Sequence, residues 1–113
     1  MLAAVLVNFA RALRRRPLTL EIMAFETVTR NELTVILEEV RESRTMALVA
    51  ALDLAAGPDD DLLAVTALLA AGVSYLAVRA RKIRLFGGIE IAGEAAWVRL
   101  EASLAALART ALT

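Results

Sequence analysis

The chain contains neither histidine nor cysteine. Without histidine it lacks the side chain best suited to general acid–base work near neutral pH. Without cysteine it has no disulfide framework, no thiolate zinc ligand and no thiol nucleophile, so it can fold in any redox compartment, a reducing cytoplasm included. Glycine and proline are scarce, with five and two residues, and aromatic residues make up only 4%. Against 59% hydrophobic and 23% charged residues, this scarcity excludes a disordered chain and predicts an Ala- and Leu-rich helical protein. Net charge is missing too: thirteen basic and thirteen acidic residues cancel, so no global field draws the chain onto nucleic acid. A length of 113 residues suits a single domain over 1–113.

Catalytic signatures are also lacking. There is no H-E-x-x-H, no G-x-S-x-G and no phosphate-cradling glycine loop, since Phe86, Gly87 and Gly88 have the wrong surroundings for one. Glu21, Glu26 and Glu32 fall on consecutive short elements with a spacing that specifies neither acid–base chemistry nor a metal. The expectation is a protein that is not an enzyme and carries no cofactor or metal.

Any DNA contact would have to be local. Two basic groups qualify: Arg11, Arg14, Arg15 and Arg16, and later Arg79, Arg81, Lys82 and Arg84. Both lie where helices should end, and cations complement the negative end of a helix dipole. The uncharged run 62–78 reaches only the short limit of a membrane span, roughly 17–25 residues, and contains Thr66, Gly72 and Ser74. A soluble helix is the expectation there, with no membrane partner. The opening MLAAVLVNFARALRRRP places its arginines after the apolar stretch, the reverse of a secretory signal.

What is present reads as five helices. The first, about 2–15, stops before Pro17, because a residue preceding proline is pushed out of the helical region. Val5, Phe9 and Leu13 form its expected inward stripe. The second, about 17–28, begins at Pro17, which the first helical turn tolerates, and carries Leu18, Ile22, Met23 and Phe25. The third, about 31–56, opens either with a Thr29–Glu32 capping box or with Asn31 as N-cap. Its charged middle, EEVRESR, has Glu38 and Arg41 three apart and suits a solvated face. Gly57 and Pro58 are expected to end it, with Asp59, Asp60 and Asp61 at the positive end of the next helix.

The fourth helix, about 59–82, is apolar nearly all round, so it is either central or shared between subunits. A domain of this size leaves little room to enclose a helix, which favours sharing. Ala67, Ala70, Ala71 and Ser74 would admit a neighbouring helix closely, while Ala64, Leu68 and Tyr75 share another side suited to the chain's own interior. The fifth, about 94–111, carries Trp97, Leu100, Leu104, Leu107 and Ala111 at helical spacing. Between these two helices, Gly87 and Gly88 permit a backbone reversal, and Ile89 and Ile91 can pin the connector, with a short strand as the alternative. Two apolar final helices joined this way predict an antiparallel pair that meets its copy in a homodimeric four-helix bundle, with Leu100, Leu104 and Leu107 in the seam.

Three stretches carry a family likeness: RRRPLTLEIMAFETVTRNELTVILEEVRE (14–42), PDDDLLAVTALLAAGVSYLAVRAR (58–81) and FGGIEIAGEAAWVRLEASL (86–104). The NELT helix start and the GGI segment followed by WVRLE resemble the C-terminal ligand-binding and dimerisation domain of TetR/AcrR-type transcriptional regulators. The resemblance covers most of the chain after Leu13. It implies an all-α, cytoplasmic homodimer whose last two helices form the bundle. It also implies a cavity in the earlier helices where a small apolar or amphipathic effector alters the spacing of two DNA-reading heads. The chain departs from the family in having no recognisable helix-turn-helix before Pro17, so specific DNA contact is expected only through a head domain that this sequence does not contain. Because ligand pockets are mostly apolar with a few orienting groups, the expected lining is Met23, Phe25, Glu26, Thr27, Leu37, Tyr75 and Trp97. Glu26, beside Ile22 and Met23, would be costly if buried alone and would then suit a cationic or hydroxylated ligand. The competing expectation is a purely structural helical dimer, which a filled core around Tyr75 and Phe25 would favour.

Overall fold

A computed structural model describes residues 1–52 and 61–111. These form five α-helices and no strand: α1 (Leu2–Arg14), α2 (Pro17–Glu26), α3 (Glu32–Leu52), α4 (Leu62–Arg79) and α5 (Glu94–Ala111). The expected end of α3 at Gly57 and Pro58, and the placing of Asp59 and Asp60, lie outside the described residues. Asp61 precedes α4 but makes no side-chain cap.

Local chemistry explains the boundaries. Arg16 has a φ of −122°, the extended backbone imposed on a residue before proline, and Pro17 opens α2. Asn31, and not Thr29, caps α3. Its Oδ1 accepts from the Thr34 backbone N–H at 3.0 Å, while its own N–H donates to Thr34 Oγ1 at 2.8 Å. This is a reciprocal capping box with threonine in the returning position. Thr34 is buried, so its hydroxyl is satisfied locally, donating in addition to the Asn31 carbonyl. Asn31→Ala is expected to cost about 1 kcal/mol, read as a lowered urea midpoint at unchanged slope.

The centre of the fold is α1, which packs against α5, α4 and α2. Its buried stripe is Leu2, Leu6, Ala10 and Leu13, rotated from the expected Val5, Phe9 and Leu13; Val5 is half-buried and Phe9 exposed. The reason lies in α5. Ala10 and Ala108 are almost fully buried in one cluster with Leu2, Leu6, Val49, Val73 and Leu104, and two small residues let the α1 and α5 backbones approach closely. A second cluster joins Leu13, Leu20, Ala77 and Trp97. Ion pairs from Arg11 to Glu101 and from Arg14 to Glu94 lie along the same antiparallel seam. The Arg14 guanidinium sits 4.5 Å from the Trp97 ring centroid, a cation–π contact.

The molecule is only 20 Å thick, about two helix diameters, so no helix is covered on every side. In α4 only Val73 and Ala77 are buried. The side carrying Ala64, Leu68 and Tyr75, expected to face the interior, instead faces outward: Leu68 is 73% exposed and Tyr75 51%. The α1 helix has taken the inner position, and α4 lies against it through the opposite side.

The connector between α4 and α5 is a tight reversal. Gly87 and Gly88 have φ of +54° and +83°, and Phe86 and Ile89 exchange both backbone hydrogen bonds at 2.9 Å across them. Two successive positive φ values make a type I′ turn, which non-glycine residues adopt at a cost. The pairing is one isolated bridge, not a strand. Ile91 is fully buried and fixes the connector, and its carbonyl accepts the Trp97 indole N–H at 2.7 Å.

Candidate functional site

The α2, α3 and α4 helices enclose an open cleft of about 640 Å³. From α2 come Met23, Ala24 and Glu26, with Thr27 at its end; from α4 come Ala71, Ser74, Tyr75, Val78 and Arg79; α3 supplies Glu38 and Arg41. Beside this cleft α3 packs loosely, burying only Thr34 and Val49 of its described residues. The volume is within the range of small-molecule sites, roughly 300–1,000 Å³.

Four of the seven expected ligand residues, Met23, Glu26, Thr27 and Tyr75, therefore meet in one cleft. The other three do not. Leu37 faces a neighbouring groove with Ile22, Val40 and Leu48, Phe25 is exposed outside the cleft, and Trp97 is a core residue at 2% exposure. Tyr75 is braced from the connector by Phe86, whose ring meets it edge-on at 5.6 Å. Neither Tyr75 nor Phe25 belongs to a filled core.

Glu26 is neither free nor solvated. Its side chain is 9% exposed, and both carboxylate oxygens accept from Arg41, at 2.6 and 3.1 Å. Such a bidentate fork neutralises the carboxylate and ties α3 to α2. It also corrects the expected pairing within EEVRESR: Arg41 reaches Glu26, and Glu38 takes Arg30 at 2.6 Å. Composition and spacing did not place Arg41 or Arg79 in the cleft, because helical periodicity reports neighbours on one helix, whereas Arg41 reaches from α3 to α2 and Arg79 is brought to the cleft by tertiary packing.

The α4 and α5 helices form a second, shallower feature, an apolar groove lined by Leu68, Gly72, Leu76, Leu100 and Leu107 with Leu104 beneath. Leu107 is 55% exposed. Of the residues expected at a dimer seam, Leu100 and Leu107 line this groove, and Ala67 is exposed on α4. Leu104 is 5% exposed, inside the chain's own core, and Ala70 packs against the same cluster. Ala71 and Ser74 lie on the cleft side of α4. Leu104 and Ala70 thus pack in the chain's own core, while Ala71 and Ser74 line the cleft.

Half of the two basic groups is committed to ion pairs. Besides Arg11 and Arg14, Arg81 pairs with Glu21 at 3.4 Å and Arg84 with Glu90 at 2.8 Å. Arg79 has no ion-pair partner among the described residues, and its Nε is buried without a hydrogen-bond partner. No group of His, Cys, Asp and Glu among the described residues could hold a metal ion. No family model matches the chain, and no curated protein or solved structure matches it.

Proposed function

We propose that this chain is the effector-binding and homodimerisation domain of a TetR-like transcriptional regulator, a cytoplasmic repressor-type sensor of a small apolar or amphipathic molecule. In this account two copies pair through α4 and α5 in a four-helix bundle, and DNA is reached only through a head domain outside this sequence. The observation that carries it is the position of α4, which lines the ligand-sized cleft through Ala71, Ser74 and Tyr75 and the exposed apolar groove through Leu68, Gly72 and Leu76. One rigid helix common to both sites is the simplest mechanical link between occupancy and pairing geometry. A ligand biases such a two-state dimer only by its differential affinity for the two arrangements. The open cleft around Tyr75 favours this account over a ligand-free structural dimer, which needs no cavity.

The competing account places α4 in a membrane, since its 18 residues are long and apolar enough to cross one. Against it, Val73 and Ala77 share the helical core with α1 and α5.

The absence of native cysteine permits a clean test. Asn8→Cys places one spin label on the exposed side of α1. Pulsed electron resonance is expected to give a single distance between the two copies, and a molecule occupying the cleft is expected to shift it. A labelled chain with no inter-copy distance overturns the dimer; a distance that no cleft occupant moves leaves the structural module.

A further inference from the structure

We propose that the cleft takes an amphipathic monoanion, a carboxylate or similar oxyanion on a short apolar body, with Arg79 meeting its charged end. The proposal rests on the effector-domain reading and adds the sign of the ligand's charge. The lining contains two carboxylates, and each already has an arginine: Glu26 holds Arg41 through two hydrogen bonds, and Glu38 holds Arg30. A cationic ligand finds no uncommitted carboxylate there: it would have to break the bidentate pair of the nearly buried Glu26 or displace Arg30 from the more exposed Glu38.

Arg79 is in the opposite situation. It lines the cleft, has no ion pair among the described residues, and keeps a buried Nε–H without an acceptor. Counting Arg30 with its partner Glu38, three arginines face two carboxylates, and the surplus positive charge is Arg79. A guanidinium presents its N–H donors as a planar fork that matches two oxygens of a carboxylate, so a cleft arginine without an ion pair suits an oxyanion by shape as well as by charge. The nearest acidic residue on α2 outside the lining, Glu21, is committed to Arg81. Beside Arg79 the lining includes apolar surface from Met23, Ala24, Ala71, Val78 and the Tyr75 ring, which suits a short alkyl or aromatic body, with Thr27, Ser74 and the Glu26–Arg41 pair completing it.

The test uses the full chain carrying 13C-methyl methionine. Met23 lines the cleft, whereas Met1 and Met46 lie outside it and serve as controls. Octanoate, octan-1-ol and octyltrimethylammonium are titrated separately at neutral pH and fixed ionic strength. Octanoate is expected to shift the Met23 methyl and to bind about tenfold more tightly than octan-1-ol, the difference a hydrogen bond to a charged group supplies, with the ammonium weakest. Arg79→Gln is expected to reduce octanoate to the level of the alcohol while leaving the alcohol unchanged, and Arg79→Lys to restore part of the preference. Equal binding of alcohol and octanoate, tighter binding of the ammonium, or an Arg79→Gln chain that still prefers octanoate overturns the proposal and leaves the sensor reading standing. If none of the three moves Met23, both fail together.

Discussion

Trp97→Ala is expected to lower the stability of the chain by about 4 kcal/mol, the cost of truncating a buried tryptophan. Three losses coincide at this residue. Its ring fills the junction of Leu13, Leu20 and Ala77, so alanine leaves a cavity where four helices meet. Its indole N–H is the donor to the Ile91 carbonyl, and that acceptor would be left buried and unmet. The Arg14 guanidinium loses the ring face on which it rests. A domain of this size has roughly 5–15 kcal/mol in total, so the variant should lose a large share of its stability. Urea unfolding followed by far-UV circular dichroism measures it, at one protein concentration, because pairing would make the midpoint concentration-dependent. Trp97→Phe keeps much of the packing and loses the donor, so it should fall between wild type and alanine. An alanine variant within about 1 kcal/mol of wild type would contradict the placement of Trp97 as the keystone of the second cluster.

The second large effect concerns pairing. Leu68→Glu and Leu107→Glu put charge on exposed residues at the rims of the α4–α5 groove, and neither contributes to the chain's own core. Each is expected to weaken the proposed dimer by about 2 kcal/mol, roughly thirtyfold, through loss of an apolar anchor and desolvation of a carboxylate. The helical content and unfolding slope of the monomer should be unchanged. Leu104→Glu supplies the contrast: at 5% exposure it buries an unpaired charge among Leu2, Leu6 and Val73, and the expected outcome is unfolded or insoluble protein. If all three variants behave alike, exposure does not distinguish core from seam here and the groove is not the pairing surface.

The difference between Leu104 and Leu107 shows what the sequence conveys and what it withholds. The start of α5 at Glu94 is legible, and so is the Gly87–Gly88 reversal, because an acidic helix start and a glycine pair act locally. Which face is buried is not legible in α1 and α4. In segments made of Ala, Leu and Val, nearly every rotation presents an apolar stripe, and the choice falls to the partner helix. Ala10 is buried because Ala108 comes close, and Phe9 is exposed although it is larger. The cleft was half-legible for a related reason. Met23, Glu26, Thr27 and Tyr75 stand out by type among apolar neighbours, but the bond from Arg41 to Glu26 spans 15 residues and two helices. The charge balance that leaves Arg79 unmet follows only from tertiary partners.

The groove leaves Leu68 and Leu107 uncovered, and Leu63, Tyr75 and Val98 are exposed elsewhere on α4 and α5. Apolar grooves of this kind mark interaction surfaces. The most direct test of the central claim is the solution mass of the wild-type chain, by light scattering over a wide concentration range without detergent. The account predicts a soluble particle of twice the 12.1 kDa chain mass. A particle that remains at 12.1 kDa as concentration rises, or a chain soluble only with detergent, would contradict it.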